Sequence, residues 1–380
     1  MEEYVLSVQD LKTKFFTRHG VVNALDGVNL TIRKGEIMGV VGETGCGKSV
    51  LALSIMGLVK YPGKVVEGSV VFRGRDLTKL DPDEMRKIRG SGIAMVFQDP
   101  LTFLNPVFTI GDQLSEVFLF HAEMDRKVVE YRIAKAKESL AESTNDGQRD
   151  QLIEEINTLE RAKEAPAKAS SKEARKAAWY FSTEMMRLLE ISDPERVAKF
   201  YPHELSGGMR QRIMIAMALA LEPDLLIADE ATTALDVTTQ AQILQLLKEL
   251  RSRINSAILI ITHDLGIVAQ TCERVAVMYA GKIVEFTQTR ELFSNPKHPY
   301  TQGLLSSVPR MSGPEADLEW IPGSVPDMIN LPSGCTFHPR CPFAQKLCEQ
   351  EAPEMLGETS HLVRCHLYGK LQAGRQAYEK

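Results

Sequence analysis

Hydrophobic positions along this chain follow three patterns. The stretch from Met1 to Phe16 alternates apolar and polar residues, which predicts a first strand. Two short apolar runs, at Glu36–Val41 and Asp224–Glu230, and a third that leads into His263, predict buried strands. Helical spacing marks Val50–Leu58 and the run that begins at Arg212. It recurs in a charged stretch at Leu152, Ile153, Ile156 and Leu159. That stretch, from about residue 123 to 176, is rich in Glu, Lys, Arg and Ala, with Asn145-Asp-Gly147 as a turn, and reads as a solvated helical hairpin. No apolar run reaches the roughly 20 residues a membrane helix requires.

The first apolar run feeds directly into Gly42-Glu-Thr-Gly-Cys-Gly-Lys-Ser49, which fits the phosphate-loop pattern G-x-x-x-x-G-K-[ST]. Strand, loop and helix follow in the required order. The glycines let successive backbone N–H groups turn toward one anion, and the helix N-terminus adds its positive end. Lys48 reaches the β- and γ-phosphates in this reading, and Ser49 ligates Mg²⁺. Gly42, Glu43, Thr44, Gly45, Cys46, Gly47, Lys48, Ser49 and Val50 form the nucleotide-binding set, with Cys46 as a spacer. The second run ends in two carboxylates. Asp229 is placed to join the Mg²⁺ shell, and Glu230 to polarise an attacking water.

Between these motifs lies Leu205-Ser-Gly-Gly-Met-Arg-Gln211, which resembles the signature of ATP-binding cassette (ABC) proteins. Residues 1 to about 290 resemble that family, with its other elements in order. Gln98 corresponds to the Q-loop residue, a catalytic and Mg²⁺-contacting position. Ala234-Leu-Asp236 corresponds to the D-loop, and His263 to the switch histidine. The resemblance implies an α/β P-loop fold with a mixed or parallel sheet, an antiparallel β subdomain and a helical subdomain. It implies an ATPase that uses ATP and Mg²⁺. Ser206, Gly207 and Gly208 open a helix and so form a second anion site, which in the family closes on ATP held by a partner cassette. An aromatic residue ahead of the loop stacks on adenine in the family. Phe15, Phe16 and His19 are the candidates, with Phe16 favoured. One departure is Ala231, where the family usually has proline after the glutamate.

Beyond residue 290 the sequences HPYTQGLLSSVP and IPGSVPDMINLPSG resemble the C-terminal extension of oligopeptide and dipeptide importer cassettes. Cys335, Cys341, Cys348 and Cys365 lie there, spaced C-x5-C-x6-C-x16-C. A disulfide, a Cys₄ zinc site and a [4Fe–4S] cluster compete for them. The spacing lacks zinc knuckles, Cys341-Pro342 matches ferredoxin-type pairing, and the resembled family carries a cluster here. The expectation is therefore an irregular extension stapled by an iron–sulfur cluster, with little apolar core of its own. His338, His361 and His366 are possible substitute ligands.

Composition then narrows the partners. With 45 Lys plus Arg against 50 Asp plus Glu, the net charge of −5 gives no basic balance for nucleic acid. The acidic, alternating N-terminus does not read as a signal peptide, so a cytoplasmic chain is expected, and the resemblance implies the cytoplasmic face of a membrane. Length and pattern divide the chain into an ATP-binding core (1–99 and 200–290), a helical subdomain (100–199) and the extension (291–380). The resemblance implies a second homologous cassette, two membrane permease subunits and an extracytoplasmic substrate-binding protein as partners. The expected function is the ATPase of a peptide importer. An importer of oligosaccharides or metal complexes is the alternative. A soluble ABC ATPase of DNA repair or translation fits less well, because the charged insert has no C-x-x-C hook.

Overall fold

A computed structural model of the chain describes residues 4–97, 103–231, 237–307, 321–358 and 360–368. They form two compact units. One comprises residues 1–89, 224–230 and 247–380, and the other residues 90–223 and 231–246.

The strands, in chain order, are β1 (Tyr4–Thr17), β2 (Gly20–Arg33), β3 (Ile37–Val41), β4 (Gly63–Phe72), β5 (Arg75–Asp76) and β6 (Ile93–Val96). Then come β7 (Leu225–Asp229), β8 (Ala257–Thr262), β9 (Arg274–Tyr279), β10 (Lys282–Gln288), β11 (Leu356–Glu358) and β12 (His361–Val363). All but β6 lie in the first unit.

One sheet of that unit is antiparallel, in the order β2-β1-β4-β5. Val28, Leu30 and Ile32 of β2 are buried at period two, as a half-covered strand requires. In β1 the buried residues are Val5, Leu6, Val8, Leu11 and Thr13, with a step of three between Val8 and Leu11. The extra step is a bulge, where Asp10 takes φ +44° and the register shifts against both neighbours. Gly68 of β4 faces it; a Cβ there would stand 2.5 Å from the Asp10 carbonyl oxygen, so the bulge requires glycine.

The larger sheet centres on β3, which is parallel to both β8 and β9; β7 runs parallel to β8. Every residue of β3, β7, β8 and β9 is buried, which is why these strands read as unbroken apolar runs rather than alternating ones. A buried ion pair sets the start of β3. Arg274 donates to both oxygens of Glu36, at 2.5 and 2.8 Å, and to the Thr31 carbonyl at 2.8 Å.

The far edge of this sheet departs from the expected irregular extension. β10 is antiparallel to β9, and β12 and β11 of the C-terminal region continue the sheet beyond it. The region also contributes core. Phe337 is 2% exposed and lies against Tyr279, Tyr300 and His298, with ring centroids 5.2, 5.4 and 5.6 Å away. Glu285 of β10 has no exposed surface and accepts from the Lys297 and His298 backbone N–H groups at 2.8 and 2.9 Å. His361 Nε2 lies 2.7 Å from the same carboxylate. Burial pushes the Glu285 acid upward, but the hydrogen bonds from His361 and the backbone outweigh it and hold it below its ordinary range.

The second unit is mainly helical. The helices Ile110–His121 and Ser171–Leu188 pack around Phe118 and Ala178, with Ala220 at the end of the helix Gly207–Leu219. The charged stretch forms helices Met124–Glu142 and Asp146–Ala162. Asn145 caps the second by accepting from Gln148 N at 3.2 Å, so Gly147 lies inside its first turn. That helix buries no residue fully; Leu152, Ile156 and Leu159 are half-covered and Ile153 is exposed. A further helix begins at Ser171, where Ser170 and Glu173 form a capping box, so residue 176 lies inside it.

The His298 environment gives a pH prediction. Its Nδ1 accepts from Tyr300 N at 3.1 Å, and burial pushes its pKa down from 6.5 to about 4, so the ring is neutral in the folded state. The unfolded chain therefore binds the extra proton between pH 6.5 and 4, and stability falls as pH drops through that window. At pH 5 the loss should be about 2 kcal/mol. Thermal unfolding from pH 7 to pH 5 should show a smaller decline for His298→Gln than for the wild type.

Candidate active site

The phosphate loop joins the end of β3 to the helix Lys48–Ile55. Its glycines are required by crowding. Gly42 has φ +155°, and a Cβ there would lie 2.2 Å from the Met278 carbonyl oxygen. Gly47 has φ +107°, and its Cβ would lie 2.5 Å from the Ala24 carbonyl oxygen. Gly45, also at positive φ, has open space beside it. The helix has neither a side-chain cap nor an acidic residue in its first turn, which leaves its N–H end available to an anion.

Lys48 is buried, and its Nζ donates to the Gly42 and Glu43 carbonyls at 2.8 and 3.0 Å. Cys46 is fully buried, and burial raises its thiol; its side chain packs beneath the loop, as a spacer should. Thr44 and Val50 flank the turn and the first helical residues. Ser49 Oγ donates to Asp229 Oδ1 at 3.1 Å, so hydroxyl and carboxylate stand together where Mg²⁺ needs two oxygen ligands. Burial, reinforced by the charge of Glu230, lifts Asp229 to about 6. A bound cation would reverse that shift.

Glu230 directly follows β7 with φ +47°, a left-handed conformation for a non-glycine residue, and its N–H donates to the Ile261 carbonyl at 2.9 Å. His263, at the end of β8, brings Nδ1 to 3.4 Å from Glu230 Oε1. The next residue, Asp264, caps the following helix by accepting from Gly266 N at 2.7 Å. Thus two adjacent parallel strands deliver the acid and the histidine to one edge of the sheet.

Phe16 is 52% exposed on β1, near the hairpin tip, and His19 is exposed as well. Phe15 instead packs against Gly63, whose added Cβ would lie 2.6 Å from its ring. In the second unit Ser206 caps the helix Gly207–Leu219, accepting from Met209 N at 3.3 Å. Ser206 and Gly207 are exposed, and a Cβ on Gly208 would meet Thr239 at 2.8 Å. Gln98 and Asp236 lie outside the described residues.

The sequence pattern missed what frames the loop from the C-terminal side. Tyr300 Oη accepts from Glu43 N at 2.8 Å, and Arg340 donates to both Glu43 carboxylate oxygens, at 2.6 and 2.9 Å. A cavity of about 660 Å³ lies between Gly42–Thr44 and His263 on one side and Gly323–Val325 on the other. Met328 accepts from Asn23 N at 2.9 Å near the hairpin tip. No local signal marks these residues beyond their membership in the extension.

The four cysteines of that extension carry free thiols, as do Cys46 and Cys272. Cys335 N donates to the Cys348 carbonyl at 2.8 Å. Cys365 is pushed up to about 11, first by burial and further by the charges of Cys335, Cys341 and Cys348. Among the described residues no three His, Cys, Asp or Glu side chains are gathered closely enough to hold a metal ion.

A glycine-rich anion loop, a lysine within it, a serine–aspartate pair and a glutamate–histidine pair define a P-loop nucleotide triphosphatase. The "ABC transporter" family matches residues 25–233, and the "Oligopeptide/dipeptide transporter, C-terminal region" family matches residues 284–348. Dipeptide transport ATP-binding protein DppD of Bacillus subtilis is 45% identical over 96% of this chain and 95% of its own length. Oligopeptide transport ATP-binding protein OppD of Salmonella typhimurium is 43% identical over 92% and 89% respectively. Among solved structures, the dimeric cassette MJ0796 bound to ADP and Pi aligns with a TM-score of 0.54 and 27% identity, over 75% of this chain and 99% of that one. The chain belongs to the ABC transporter family of ATPases, among the ATP-binding subunits of oligopeptide/dipeptide transporters. Its family acts on ATP with Mg²⁺.

Replacing Lys48 with Ala should weaken ATP binding by about 10- to 100-fold, the loss expected for a hydrogen bond to a charged group. Titration with a fluorescent ATP analogue checks it.

Proposed function

We propose that this chain is the ATP-hydrolysing subunit of a membrane importer for oligopeptides or dipeptides. The observation that carries this reading is similarity to dipeptide and oligopeptide transport ATP-binding proteins over nearly the whole chain, extension included. Lys48 and the loop N–H groups bind the β- and γ-phosphates, while Ser49 and Asp229 hold Mg²⁺ with Gln98. Glu230 orients the attacking water, and His263, beside it, senses the γ-phosphate. Phe16 stacks on adenine. Ser206, Gly207, Gly208 and Asp236 serve a second, homologous cassette, so ATP joins two cassettes face to face and hydrolysis releases them.

Two membrane permeases and an extracytoplasmic substrate-binding protein complete the assembly, with this chain on the cytoplasmic face. No helix among the described residues is long and apolar enough to cross a membrane, so membrane attachment goes through partners in this reading. Phe103, Val107 and Phe108, each about half or more exposed at 49%, 69% and 52%, offer an apolar contact for a permease.

The four cysteines hold a [4Fe–4S] cluster in this proposal. The reading rests on the donor count alone: Cys335, Cys341, Cys348 and Cys365 are the four thiols such a cluster takes, all in the C-terminal region. Such a cluster would pin the extension where it already packs on β10. Anaerobic purification should yield about four irons and matching sulfide per chain; one zinc, or no metal, overturns the cluster.

The transport reading is tested by co-expressing this chain with its permeases and partner cassette and reconstituting the complex. Peptide-loaded binding protein should stimulate ATP hydrolysis, and Glu230→Gln should lower turnover by about 10²- to 10⁴-fold while ATP still binds. Stimulation by an oligosaccharide or a metal chelate, but not by peptides, would reassign the substrate.

A further inference from the structure

We propose that Arg340 is a positioning residue for ATP binding: it neutralises and fixes Glu43, so that the C-terminal region sets the phosphate loop's affinity for ATP. Glu43 is the first residue after the loop's leading glycine. An unpaired carboxylate there would repel the triphosphate that the loop exists to bind. Arg340 removes the problem with a bidentate pair, Nη1 to Oε2 at 2.6 Å and Nη2 to Oε1 at 2.9 Å. Its own side chain is only 6% exposed, while that of Glu43 is 30% exposed, so solvent screens the pair in part.

The arginine is itself held rigidly. It donates to the carbonyls of Pro322, Ile321 and Gly323 at 2.8, 3.4 and 3.3 Å, and it lies over the Tyr279 ring. Gly323 is part of the cavity wall facing the loop. The hydrogen bonds to Glu43 come first among the causes that raise the guanidinium above its ordinary range.

A second grip acts on the same residue through the backbone. The Glu43 N–H donates to Tyr300 Oη at 2.8 Å, and Tyr300 is fully buried against Tyr279 and Phe337. Glu43's carbonyl meanwhile accepts from Lys48. One loop residue is thus held at N–H and carboxylate by the extension, and at its carbonyl by the lysine that must reach the phosphates. Releasing the carboxylate would leave a negative charge at the mouth of the site and loosen the turn that presents Lys48.

This inference rests on the ATP-binding reading and is tested with a control that separates the two. The full-length chain, in its assembled complex, is titrated with a fluorescent ATP analogue, and steady-state hydrolysis is measured in parallel. Wild-type binding, and its loss in Lys48→Ala, establishes the site independently of Arg340. Arg340→Ala should then weaken ATP binding about tenfold or more, with KM rising and kcat little changed, as expected for loss of a charged hydrogen-bonded pair. In the Glu43→Gln background the same substitution should cost less than about twofold, because the charge it offsets is gone. Arg340→Lys, which keeps the charge but not the fork, should fall between wild type and alanine.

Equal losses from Arg340→Ala in both backgrounds would overturn the proposal and reduce Arg340 to a structural tie of the extension. So would unchanged ATP affinity in a folded Arg340→Ala protein. If the alanine variant does not fold, the comparison of Arg340→Lys in the two Glu43 backgrounds carries the same test.

Discussion

Backbone crowding around the phosphate loop is the constraint on which the rest of this structure depends. The loop is pressed between the Met278 carbonyl on β9 and the Ala24 carbonyl on β2, closely enough that neither Gly42 nor Gly47 could carry a Cβ. An anion pocket made of N–H groups has to be held in shape by what lies behind it, because the N–H groups themselves repel. Here the backing is the parallel sheet, whose central strand is locked at its start by Glu36 and Arg274. The glycines are therefore permissive on the ligand side and obligatory on the protein side.

The same sheet explains why Glu230 and His263 meet. β7 and β8 are adjacent, parallel and fully buried, so their C-terminal ends emerge side by side. Glu230 takes a strained left-handed backbone there, and the hydrogen bond from its N–H to Ile261 holds it. Strain at such a position is tolerated when the surrounding strands over-determine it. Asp229, buried beside Ser49, holds its proton more tightly than an exposed aspartate would, and a divalent cation is the natural replacement for that proton.

The sequence made the ATP-binding half legible because its chemistry is contiguous. A phosphate loop needs its glycines, lysine and serine within eight positions, and buried parallel strands announce themselves as unbroken apolar runs. The two helices of the charged insert and the turn between them were readable, although Asn145 acts as a cap and Gly147 falls inside the helix; the far bound was not, since the second helix ends at Ala162 and residue 176 belongs to the helix Ser171–Leu188. The bulge in β1 was not legible, since alternation alone gives no sign that Asp10 and Gly68 meet backbone to backbone. Least legible was the C-terminal region. Pro- and Gly-rich, without period two or period 3.6, it read as chain with little core. Its order comes instead from single long-range contacts: Phe337 among tyrosines, His361 on Glu285, Arg340 on Glu43. Contacts between residues that far apart leave no mark on local pattern. Gln98 and Asp236, by contrast, were named from resemblance and lie outside the described residues.

The separation between Glu43 and Arg340 has a consequence for how the protein is made. A ribosome working from the N-terminus releases the phosphate loop, its lysine and its helix long before the arginine that pairs with Glu43 has been translated. Until then Glu43 has no Arg340 to pair with. Only when the segment that bears Arg340 emerges and packs can the pair form. The phosphate loop and its bidentate arginine therefore meet late in synthesis, across 297 positions of sequence.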